Sequence, residues 1–197
     1  MKQKETDLIV DYLKNTYSEL VAGVIVERGD IVVACERGQA RRFLEHCKED
    51  AELDFNMLVD VTAVDWMDNR PERFEVVYQL LSVSKKRRLT VSIAVAEERP
   101  EVDSVVSLWQ GASFMEREVW DMFGISFSGH PDLRRVLMYE EFVGHPLRKD
   151  YPIQGKQPRV PLRYPEVENT ARQMIRPELV TIRTRKSNAS GSSAGTL

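Results

Sequence analysis

The sequence predicts an α+β fold: a mixed β-sheet with helices packed on it, in the order α-β-β-α-β-β-β-α, followed by an extended irregular C-terminal arm. Three observations carry this. Two segments repeat apolar residues at helical spacing, three later segments have strand patterns, and beyond Gly124 the periodicity fades into prolines, glycines and charges. The order also lacks the regular strand–helix alternation of a nucleotide-binding doubly wound sheet.

Over Glu5–Leu20, the residues Leu8, Ile9, Tyr12, Leu13, Thr16 and Leu20 fall at three- and four-residue steps, which places them on one helical stripe. Val21–Glu27 and Ile31–Ala34 are short β-branched runs around Arg28-Gly29-Asp30, a hairpin signal. After Gly38, Ala40, Phe43, Leu44 and Cys47 return to helical spacing. Strands follow at Phe55–Val64, Phe74–Val83 and Leu89–Ala96, the last alternating so strictly that one face is buried. Between the last two, Ser84-Lys85-Lys86-Arg87-Arg88 reads as a solvated hairpin tip rather than a phosphate or lipid patch.

Val102–Trp109 is expected to form a short helix. A stronger helix follows Gly111. Ser113-Phe114-Met115-Glu116 has the capping-box form, in which serine and glutamate each take a free backbone N–H, and Gly124 suits the C-terminal cap. Met115, Val119 and Met122 form its inward stripe, and Arg117 and Asp121, four apart, can pair on its surface. Three parts result: an α+β core over 1–124, a charged loop segment over 125–164, and a basic arm with a small, polar tail over 165–197.

Hydrophobic residues make up 42% of the chain and charged residues 30%, enough apolar material for a core and too much for a disordered chain. The longest apolar run, Val21–Val26, is far below the ~20 residues of a membrane-spanning helix. No apolar stretch with a cleavage site follows the N-terminal lysines, so a secretory signal is not expected. Net charge is −3, but Gly155–Leu197 carries eight basic and three acidic residues, hence +5, leaving −8 for the first 154. Such an arm suits an acidic surface or nucleic acid.

Cys35 and Cys47, with eleven residues between them, read as small buried hydrophobes. They are too few for an iron–sulfur or zinc-thiolate site. Neither a dinucleotide nor a triphosphate cradle motif is present. The sharpest candidates for metal or acid–base chemistry are Gly129-His130-Pro131 and Gly144-His145-Pro146, with Asp132, Asp150 and His46 as companions. A histidine before proline is held extended and often pins a loop by hydrogen bonds, and that structural reading is preferred. Glu116, Arg117, Glu118, Asp121, Asp132, Arg134, Arg135, Arg148, Lys149 and Asp150 lie within 35 residues, a density suited to locking loops or a partner in place.

The runs Glu116–Ile125, Gly129–Met138 and Gly144–Pro152 resemble the signature of the C-subunit family of respiratory complex I, an NADH-quinone oxidoreductase. That signature has Glu-Arg-Glu, an acidic residue three on, two apolar residues, a histidine seven later, then arginine and aliphatics. Val59–Trp66 is similar to a strand of the family, so the resemblance spans roughly Leu8 to Arg163 and leaves the tail outside it. It implies a non-redox scaffold subunit of the peripheral arm of a proton-pumping NADH:quinone oxidoreductase. Such a protein would be peripheral to the inner membrane on its cytoplasmic side, packed on the large quinone-site (D) subunit and near the B and I subunits. FMN, iron–sulfur clusters, NADH and quinone would then be bound by other subunits, and no metal or cofactor by this chain. Glu116, Arg117, Glu118, Asp121, His130, Asp132, Arg134, Arg135, His145, Arg148, Lys149, Asp150 and Tyr151 would be interface or structural residues. The alternatives are a homologous subunit of a ferredoxin or quinone oxidoreductase or membrane-bound hydrogenase, a stand-alone metal-binding protein, and a nucleic-acid binder using the basic arm.

Overall fold

The computed structural model describes residues 2–154 and 156–158. The elements in chain order are α1 (Lys2–Thr16), β1 (Val21–Glu27), β2 (Asp30–Cys35), α2 (Arg37–Glu49), β3 (Met57–Asp65), β4 (Phe74–Ser82), β5 (Arg87–Val95), β6 (Glu101–Asp103), α3 (Ala112–Phe123) and β7 (Ser126–Ser128). The predicted α+β order is present, with β6 and β7 added. The arm and tail expected over 165–197, and the end of the 125–164 segment, lie outside the described residues.

Five strands form one sheet in the order β1-β2-β5-β4-β3. β2 pairs with β5 in parallel and the other pairings are antiparallel, so the sheet is mixed as expected. Its centre follows from alternation. In β4, Phe74, Val76, Tyr78, Leu80 and Ser82 are buried, and in β5, Leu89, Val91, Ile93 and Val95. Both sets join one core with Leu13 of α1 and with Ala40, Phe43, Leu44 and Cys47 of α2. α1 packs on β1, α2 on β2, β5 and β6, and α3 on β3 and β7. The β1–β2 hairpin turns in two residues, Arg28 and Gly29, both at positive φ (54° and 93°), which matches the right-handed twist of the strands.

Two local expectations fail. Val102–Trp109 does not form a helix: Glu101–Asp103 pairs in parallel with Ser126–Ser128, Val102 opposite Phe127, and both of those side chains are buried. The capping box at Ser113 is absent as well. α3 begins at Ala112 with Gly111 at its N-cap and no side-chain cap, because Glu116 turns inward instead. Gly124 does cap the helix, in the left-handed region (φ 75°), with its N–H donating to the Trp120 carbonyl at 2.8 Å. Cys35 and Cys47 are free and buried, as anticipated.

Candidate functional site

The charged residues gather where the C-terminal half of α3 meets the ends of β3 and β4, and segment 129–151 folds back over that junction. Asp121 is the first anchor. It is fully buried, and Arg135 donates to its Oδ1 at 2.5 Å. The backbone N–H groups of Val136, Leu137 and Met138 converge on its Oδ2 at 2.9–3.0 Å. Burial pushes this carboxyl up, but the Met138 amide, Arg135 and the other two amides together hold it below its usual range. Asp121 therefore does not pair with Arg117 as the four-residue spacing suggested. Arg117 instead donates to the carbonyls of Arg134 and Arg135, both at 3.1 Å. Arg135 completes its fork on the carbonyls of Phe142 (2.8 Å) and Gly144 (3.1 Å) and lies over the Trp120 and Phe142 rings.

The second anchor went unread in the sequence. Arg73, 6% exposed, donates through Nε and Nη2 to both oxygens of buried Asp65 (3.1 and 2.9 Å). It also reaches Glu97 at 2.5 Å and Asp150 at 2.7 Å. The Lys149 N–H donates to Asp65 Oδ2 at 2.8 Å and the Met67 N–H to Oδ1 at 3.0 Å. Burial raises the Asp65 carboxyl, yet Arg73 and these two amides bring it down to about 2. Asp150 is also held low, chiefly by Arg73. Thus Asp150 and Lys149 fasten the loop to the sheet through one guanidinium and one carboxylate, Lys149 by its backbone alone.

Both histidines are loop pins. His130 Nδ1 accepts the Asp132 N–H at 3.0 Å, which leaves Nε2 as the donor to the Ser113 carbonyl at 3.1 Å. His145 Nδ1 donates to the Asp121 carbonyl at 3.0 Å, and burial lowers its affinity for a proton. Arg148 Nε donates to the Phe123 carbonyl at 2.5 Å, and the Leu147 N–H to that of Met122 at 3.1 Å, so the loop also closes the end of α3. A Cβ on Gly124 would sit 2.6 Å from Arg148 Nη2 and the His145 ring, so this approach requires glycine. Tyr151 stacks on Phe142, and its hydroxyl accepts a hydrogen bond from Gln157.

Glu116 is fully buried. It accepts Ser104 Oγ and the Val105 N–H, each at 2.7 Å, and burial raises its carboxyl. Asp132 and Arg134 form an exposed pair at 2.9 Å. Glu118 is exposed, and its side chain has no hydrogen bond or ion pair among the described residues. The structure does not bring the two histidines together with His46: among the described residues, no group of three or more His, Cys, Asp or Glu side chains is placed to hold a metal ion.

An α+β domain whose charged signature clamps a loop to its own core defines a structural module, one that presents a shaped surface. Residues 33–157 match the family described as respiratory-chain NADH dehydrogenase, 30 Kd subunit. The chain belongs to this family. Its curated relatives include the NADH-quinone oxidoreductase C subunit of Geobacter metallireducens, 42% identical over 77% of this chain and 92% of that one. The protein of the same name from Rhodobacter capsulatus is 41% identical over 85% of this chain and 81% of its own. Among solved structures, a trypsin-resistant fragment of Nqo5 superposes with TM-score 0.55 at 33% identity, covering 68% of this chain and all of the fragment. A chain of the membrane-bound sulfane sulfur reductase, an archaeal respiratory membrane complex, shares the fold with TM-score 0.65 at 24% identity over 76% of this chain and 87% of that one.

Proposed function

We propose that this chain is a non-redox scaffold subunit of the peripheral arm of a proton-translocating NADH:quinone oxidoreductase. It holds neighbouring subunits in place while they carry electrons from NADH through FMN and iron–sulfur clusters to quinone. No helix among the described residues is long and apolar enough to cross a membrane, so attachment to the cytoplasmic face of the inner membrane would run through partners. The family resemblance makes the large quinone-site (D) subunit, with the B and I subunits, the partners to seek.

The observation that carries the reading is the pairing of rigidity with exposure. Buried carboxylates and guanidinia fasten segment 129–151, yet it holds Leu137, Val143 and Leu147 more than half exposed. Loops pinned this firmly with apolar side chains turned outward are suited to burial against another protein. Val143→Asp with Leu147→Asp tests this, since neither side chain supports the core. Assembled complex on native gels and NADH:quinone reductase activity are expected to fall while the thermal midpoint of the purified chain stays unchanged. Normal complex yield and rate would sink the proposal.

A further inference from the structure

The sheet topology brings two hairpin tips to one end. β2 and β5 run in parallel with Ile31 opposite Leu89, so the turns preceding them, Arg28-Gly29 and the β4–β5 connection, lie side by side. Between them opens a cleft of about 500 Å3, whose lining includes Asp30, Lys85, Lys86, Arg87 and Arg88. Its apolar side comes from the largely buried Ile9 and Ile31. The cleft therefore sets four cations against one carboxylate.

Two of the cations are accounted for by Glu52. Its carboxylate lies 3.9 Å from Lys85 Nζ, and its carbonyl accepts Arg87 Nη1 at 3.3 Å. Lys86 and Arg88 are exposed, and their side chains have no hydrogen bond or ion pair among the described residues. Lys86 also sits at φ 54°, in the left-handed region where a turn ordinarily places glycine or asparagine. Lys86 thus stands at the turn next to other charges of the same sign. The tip is solvated, as the sequence suggested, and its basic side chains also border the cleft.

We infer that this cleft binds a phosphate-bearing anion, with Lys86 and Arg88 as its principal contacts. A guanidinium fork and a mobile ammonium side by side suit phosphate oxygens, and the cleft volume falls in the ~300–1,000 Å3 range of small-ligand sites. The same chemistry is offered by a soluble diphosphate and by an anionic lipid headgroup. The site lies outside the latched loop and does not depend on the scaffold role.

The test uses the full-length chain with two probes: inorganic pyrophosphate by calorimetry, and sedimentation with phosphatidylglycerol or phosphatidylcholine vesicles. Lys86→Asn, whose new residue suits the left-handed turn, and Arg88→Ser remove the contacts. Arg42→Ser, exposed on α2, removes the same charge elsewhere. Each site variant is expected to weaken the bound probe by about ten-fold or more, and the control by less than about two-fold. Pyrophosphate binding identifies a soluble ligand, and binding of anionic vesicles alone identifies a lipid headgroup; either supports the site. No binding of either probe, binding untouched by both site variants, or an equal loss in Arg42→Ser would overturn it.

Discussion

Replacing Arg73 by methionine tests the second anchor most directly, because methionine keeps much of the stem and removes only the guanidinium. The Arg73 and Asp65 side chains are 7% and 2% exposed, so the substitution leaves a carboxylate in the interior with only the Met67 and Lys149 amides. Breaking a buried pair from one side costs ~3–5 kcal/mol. A second route uses the Asp65 carboxyl itself: its displacement from 3.8 to about 2 corresponds to ~2 kcal/mol, net of the burial that opposes it. The two bracket an expected loss of about 3 kcal/mol, out of the ~5–15 kcal/mol that stabilises a typical domain. Urea unfolding followed by circular dichroism measures it, with limited proteolysis reporting release of 144–151. Adding Asp65→Asn removes the stranded charge and should restore at least about 1 kcal/mol. If Arg73→Met costs less than about 1 kcal/mol, or the double variant recovers nothing, the ion cluster does not hold the loop.

Asp121→Asn should destabilise by ~2–4 kcal/mol, since it turns an amide N–H2 or an uncharged oxygen toward Arg135. Hydrogen exchange at the Val136, Leu137 and Met138 amides should accelerate, and unchanged protection there would count against the assignment. Gly124→Ala should cost ~2–4 kcal/mol from the 2.6 Å approaches and the positive φ together, with a lowered thermal midpoint as the readout. On acidification, the stability from Asp65 is fully present above its ordinary 3.8 and is lost as pH falls toward about 2. Asp121, also held low, acts in the same direction. Wild type should therefore lose ~2 kcal/mol or more across that window, and Arg73→Met distinctly less; equal acid sensitivity in both would contradict the linkage.

The parts of the fold legible in the sequence are those with a local period. β4 and β5 fall within two residues of expectation because alternation over nine positions leaves one register for a half-buried strand. β6 and β7 are three residues each and pair across an intervening helix, so neither carries a period, and Val102 offered helical spacing as readily as extended. The Ser-x-x-Glu motif at Ser113 misled for a related reason. It records only what a glutamate can reach locally, whereas Ser104 and the Val105 amide, brought close by the β6–β7 pairing, offered Glu116 partners inside the core. Arg73 carried no such periodic signal: it lies just before β4, where the register sets Asp65 opposite Phe74, and its side chain reaches Asp65 only because the 66–73 connection turns it inward.

Asp121 shows why magnitude, not spacing, assigns partners in the charged segment. An exposed pair four residues apart on a helix contributes ~0.3–0.5 kcal/mol, less than the rotamer freedom that two long side chains can lose in forming it. The alternative for Asp121 is a buried carboxylate with one guanidinium and three converging amides, where each bond to the charge contributes ~1.5–3 kcal/mol and leaving it unmade costs more than that. Once Val119 and Met122 turn the helix toward the core, Asp121 goes inward with them and has to find such partners. Residues 136–138 can turn three successive amides onto it because 134–138 is neither helix nor strand and leaves those N–H groups free. Irregular backbone and buried carboxylate thus satisfy each other, and the charge density that marked the segment in the sequence is the means by which it is held rigid.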